Sequence, residues 1–124
     1  MDQSFPKSEH LCGKAAVAAV FERGKTVQAG CLRCKFLHQP QEGPSRVLVS
    51  VPKRHFKRAV KRNLLKRRIR EAYRRQKCSD GLDLILVYVA QEVLPYETLY
   101  TDMATLLQAV SAREMQSSEN QKDI

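Results

Sequence analysis

From residue 58 to residue 76 the chain contains neither glycine nor proline, and strong helix formers fill the stretch. A helix there gathers Leu65, Ile69, Ala72 and Tyr73 into one apolar stripe. Arg62, Lys66, Arg70 and Arg74, each four residues on, run along another side with Asn63 and Arg67 beside them. Any fold must therefore bury one face of a long helix whose other face is cationic. The segment from 53 to 77 holds thirteen Lys and Arg against a single acid, Glu71, a net +12. The nine basic and twelve acidic residues elsewhere give −3, so this segment exceeds the formal net charge of the whole chain, +9.

Such a field attracts a polyanion, either nucleic acid or an acidic membrane surface. A face that is merely solvated intersperses acids, because like charges four apart on a helix cost a few tenths of a kcal/mol per pair. Here almost none are interspersed, which suits a polyphosphate partner that supplies the missing negative charge. Asn63 adds a side chain that both donates and accepts. An interfacial membrane helix would need its apolar stripe exposed, whereas this stripe is wanted for a core, and the chain has no Trp. Charge alone does not separate RNA from DNA.

The other elements follow from periodicity. A short helix is expected over about 12–23, with Val17, Val20 and Phe21 at i, i+3 and i+4 and Gly24 as its stop. Residues 27–38 alternate as one strand, with Leu32, Cys34 and Phe36 on one face and Cys31, Arg33 and Lys35 on the other. Residues 39–44 read as a loop and 46–51 as a strand closed by Pro52. Residues 82–90 are almost continuously apolar, a strand buried on both faces. A last helix after Pro95 repeats Leu99, Met103, Leu106, Leu107 and Val110, and the polar residues 114–124 are expected to form a disordered tail. The order α, β, β, α, β, α describes a small α+β sandwich, and 124 residues suit one domain spanning the chain. The longest apolar run is too short to cross a bilayer, and residues 1–7 have no signal-peptide core. With four irregularly spaced cysteines, the expectation is a reduced cytoplasmic protein.

The stretch from Val51 to Arg74, most specifically Arg62-Asn63-Leu64-Leu65-Lys66-Arg67-Arg68-Ile69-Arg70-Glu71-Ala72-Tyr73-Arg74, resembles the signature helix of the bacterial ribonuclease P protein subunit family. Phe5-Pro6-Lys7-Ser8-Glu9 resembles that family's opening, Val20-Phe21-Glu22-Arg23-Gly24 its first helix and stop, and Gly81-Leu82-Asp83-Leu84-Ile85 its following strand. The likeness spans about residues 5–110. It implies a sheet of about four strands with a left-handed βαβ crossover, against the usual right-handed preference, in a sandwich like that of a ribosomal protein domain. It implies too that the chain joins a catalytic RNA to remove the 5′ leader of precursor tRNA. The RNA performs the hydrolysis with Mg²⁺; no cofactor is expected on the protein alone, and no membrane or DNA partner.

Carried over by position, Arg62, Asn63, Lys66, Arg67 and Arg70 match the family's basic motif that faces the catalytic RNA, chiefly its phosphates. Lys53, Arg54, Arg58 and Arg74 are expected to bind RNA with them, although Lys57-Arg58 stands where the family commonly has Gly-Asn. Phe21 matches an aromatic of the leader-binding cleft, where a ring stacks single-stranded bases; as part of the helix stripe it would simply be core. Lys35 stands where the family often has Tyr and Val17 replaces a cleft aromatic, so Arg33 and Lys35 are expected to grip leader phosphates. Leu64 stands at a position that often carries Arg.

Other chemistry is poorly supported. Cys31-x-x-Cys34 with His38 lacks a second cysteine pair, and neighbours three apart in a strand face opposite ways. No paired carboxylates suggest a two-metal nuclease, and Asp80 and Asp83 flank Gly81 as turn residues. A structural RNA-binding protein of ribosomal or chaperone type is the remaining alternative, to be told apart by its indifference to precursor over mature tRNA.

Overall fold

The structure is a computed structural model that describes residues 11, 13–39, 43–76 and 81–122, with side chains through 113. The expected family opening at 5–9, Cys12, Cys78, Asp80 and the side chains of the expected tail lie outside the described residues. The elements are α1 (Lys14–Arg23), β1 (Lys25–Ala29), β2 (Leu32–His38), β3 (Arg46–Ser50), α2 (Ala59–Gln76), β4 (Leu82–Tyr88) and α3 (Tyr96–Lys122).

The strand expected over 27–38 is two strands. β1 and β2 form an antiparallel hairpin in which Ala29 faces Leu32. Gly30, at φ 55°, makes the turn between them. Alternation continued through the turn, so periodicity alone joined the two. Cys31 consequently lies in the turn, and it is buried with Cys34 in one core instead of pointing away from it. Its backbone N–H donates to the Asp102 carboxylate of α3 at 3.0 Å. A side chain at residue 30 would collide with that carboxylate.

The sheet order is β1-β2-β4-β3, antiparallel except for the parallel pair β3–β4, which α2 connects as a crossover. β4 is central and buried on both faces, as its apolar run requires. Leu32, Cys34, Phe36, Leu84 and Leu86 face the main core. The stripes expected on the helices complete it: Leu65, Ile69, Ala72 and Tyr73 from α2, and Leu99, Met103, Leu106, Leu107 and Val110 from α3. α1 covers part of the other face, where Val20 packs with Leu11 and Ile85. Gly24 ends α1 at a point where a Cβ would meet the carbonyls of Val20 and Phe36, so the chain can pass from helix to strand there only without a side chain.

Asp83 is not a turn residue. It lies within β4, 4% exposed, and Arg46, its register partner on β3, holds it with two bonds of 2.7 Å. The bidentate match of guanidinium and carboxylate is what makes this burial tolerable.

Candidate nucleic-acid interface

Residues four apart on a helix advance about 40° per step. The row Arg62, Lys66, Arg70, Arg74 therefore winds across α2 instead of running straight. Arg62 and Lys66 begin beside the buried stripe and are half-buried, while Asn63, Arg67 and Arg70 stand exposed. Among the described residues, none of these last three has a carboxylate partner. Arg62 is spoken for in part: Nη1 donates to the carbonyls of Phe56 and Lys57, both at 2.8 Å, which fastens the loop at 51–58 onto the helix. Lys53, Arg54 and Arg58 are exposed on that loop. Lys57 and Lys61 are exposed as well, and belong to the same cationic segment although no motif singled them out.

Arg74 is the exception in the row. Glu71 pairs with it at 2.7 Å and with Arg75 at 2.7 Å. Those bonds, Arg74 first and then Arg75, hold the Glu71 carboxyl below its usual range. Arg68 turns towards α3 and donates to the carbonyl of Leu94 at 2.9 Å. The outward field of α2 thus comes mainly from its N-terminal and middle turns and from the loop before it.

The second sheet face brings the other three expected residues together. Arg33 and Lys35 alternate on β2 with the core residues, opposite Val87 and Ile85 of β4. Phe21, on the last turn of α1, is 53% exposed and so is not core. Lys35 Nζ lies 5.8 Å from the Phe21 ring centroid and 3.4 Å from its carbonyl oxygen. Arg33 Nε donates to Gln28 Oε1 at 3.3 Å. One exposed ring with Lys35 beside it, and Arg33 two residues along β2, thus share this face, an arrangement able to hold a short single-stranded polyanion.

Neither cysteine of Cys31-x-x-Cys34 is disposed to hold a metal. Both are buried thiols. Burial first, and then Asp102, push the Cys31 thiol up to about 12. Among the described residues no three His, Cys, Asp or Glu side chains cluster as a metal site, and no helix is long and apolar enough to cross a membrane.

A four-stranded α+β sandwich with a cationic crossover helix on one side and an exposed Phe21–Lys35 pair on the other defines a class of small basic domains. Comparison with known proteins narrows it. The Ribonuclease P family profile matches residues 5–111. The ribonuclease P protein component of Porphyromonas gingivalis is 34% identical over 82% of this chain and 68% of its own length. That of Xylella fastidiosa is 30% identical over 94% of this chain and 86% of its own. The solved RNase P protein from Thermotoga maritima is 25% identical and superposes with a TM-score of 0.71, covering 82% of this chain and 96% of that one. The chain belongs to the ribonuclease P protein component family.

Proposed function

We propose that the chain is the protein subunit of a ribonuclease P holoenzyme of the bacterial cytoplasm. It binds the catalytic RNA along α2 and the 5′ leader of precursor tRNA in the cleft between α1 and the sheet, and so assists removal of the leader. The observation that carries this reading is the outward face of α2, where Asn63, Arg67 and Arg70 are exposed and lack carboxylate partners among the described residues. Among the described residues Glu71 relieves only Arg74 and Arg75; the repulsion among the other gathered cations would be relieved by RNA phosphates. The hydrolysis, with Mg²⁺, would be supplied through the RNA. This chain's residues bind, orient and neutralise. Arg62 serves both ends, holding the loop that presents Lys53, Arg54 and Arg58.

In the cleft, Phe21 offers one ring face to a base, while Arg33 and Lys35 offer charge to the phosphates on either side. Lys35 must leave its place over the ring when a base stacks there, and a leader phosphate is the natural place for it to go. Two measurements test the two surfaces. Arg67→Ala and Arg70→Ala should each weaken binding to ribonuclease P RNA and lower the slope of log K against log salt by about 1. Lys35→Ala should weaken a leader-bearing precursor more than leaderless tRNA; an equal effect on both would remove the leader from this account.

A further inference from the structure

A cavity adjoins the α2 surface, with which it shares Arg58, between the loop before α2 and the loop after β4. Its volume is about 360 Å³, near the lower end of the roughly 300–1,000 Å³ typical of small-ligand sites. Both walls are fixed in place. Tyr88 joins them: its ring packs against Phe56, centroids 5.8 Å apart, and its hydroxyl donates to the carbonyl of Glu92 and accepts from the N–H of Leu94. Arg68 Nη1 holds the Leu94 carbonyl from α2, and Arg62 Nη1 holds the Phe56 and Lys57 carbonyls from the same helix. The cavity is thus preorganised by side chains reaching backbone, which lowers the cost of binding.

Its chemistry is divided. Phe56 and Val93 give an apolar wall. Lys57, Arg58 and Lys61 line one side, exposed and without carboxylate partners among the described residues. Glu92, exposed at the other side, repels an anion and accepts from an N–H donor. A phosphate is therefore confined to the lysine-arginine side, and a ring carrying an amino group fits towards Glu92. We propose that this cavity takes a single unstacked nucleotide of RNA, with its phosphate on Lys57, Arg58 and Lys61 and an amino-bearing base against Val93 and Glu92. That assignment rests on the reading that the α2 region meets RNA, and it deepens it. The outward face of α2 reads backbone charge alone, whereas the cavity selects one exposed base.

The test titrates cytidine 5′-monophosphate, uridine 5′-monophosphate and inorganic phosphate into the full chain at constant ionic strength, following backbone amide resonances. Cytidine monophosphate should shift residues 55–58, 61 and 91–93 and bind at least about fivefold more tightly than the uridine form, the worth of roughly one hydrogen bond. Glu92→Gln should keep binding and lose that preference. Val93→Phe, at a half-buried loop position that also packs on the core, should abolish the shifts while the chain still unfolds cooperatively, and weaken binding to ribonuclease P RNA severalfold. Shifts confined to 57–61 and reproduced by phosphate, or equal binding of the two nucleotides, would overturn the pocket. Nucleotide binding lost in Val93→Phe with RNA binding unchanged would overturn its assignment to the RNA. If the unaltered chain bound the nucleotides selectively but not the RNA, the pocket would stand and the subunit reading would fall.

Discussion

Asp83 and Arg46 put a buried charge pair on the sheet face that α1 only partly covers, with side-chain exposures of 6% and 33%. Removing the guanidinium leaves a carboxylate in a place water barely reaches. Arg46→Met should cost about 3 kcal/mol in chemical denaturation, at the lower end of the range for a broken buried pair because Arg46 itself is a third exposed. A loss well under 1 kcal/mol would mean that Asp83 finds another donor. Cys31 gives a pH signature at the same scale. Its thiol is raised from 9.0 to about 12 by burial and by Asp102, so the folded chain keeps the proton where the unfolded chain has lost it. Stability on this account is fully present below about pH 9 and declines as pH rises towards 12, and Cys31→Ala should flatten that decline. Equal alkaline melting profiles for the two chains would contradict the assignment. Neither Asp102 over Cys31 nor Arg46 on Asp83 was legible in the sequence. Each joins residues far apart in the chain, and no local period marks such a pair.

At the scale of elements, α2 was the most legible part because two signals coincide in it: an uninterrupted run of helix formers and an apolar stripe of 3.6-residue period. What the wheel did not give was which cations are committed elsewhere. Glu71, the only acid in the segment, engages Arg74 and Arg75, and Arg62 and Arg68 are drawn onto backbone carbonyls. Glu71→Gln should release Arg74 and Arg75 from that pairing. RNA binding at low salt would then tighten and its salt slope steepen by about 1–2, for a loss of under about 1 kcal/mol in stability. Weaker RNA binding would show instead that Glu71 orders the two arginines for contact. The β1–β2 hairpin was the least legible element. Alternation ran unbroken across Gly30, and only the clamp from α3 explains why the chain turns there. Phe21 shows the same limit: its spacing from Val17 fits an apolar helix stripe, yet only Val20 of that helix is buried.

For the molecule as a whole, the distribution of charge matters more than its total. A +12 segment, most of it folded onto one helix and the loop before it, destabilises the compact state through self-repulsion, while the rest of the chain is slightly acidic. Sulfate or phosphate, exchanged for chloride at constant ionic strength, should raise Tm by roughly 3–5 °C for each kcal/mol of anion binding. An unmoved Tm would mean that the cations are already far enough apart for solvent to screen them. The two surfaces proposed to meet RNA lie on different sides of the sheet, α2 against the main core and the Phe21–Lys35 pair on the α1 side, and on that proposal one small chain holds a catalytic RNA and its substrate at once. The measurement that tests this most directly is 5′ cleavage of a precursor tRNA at low Mg²⁺, comparing the protein alone, a bacterial ribonuclease P RNA alone, and both together. Efficient leader removal only when both are present is the predicted result. Cleavage by the protein alone, or no gain when it is added to the RNA, would contradict the account.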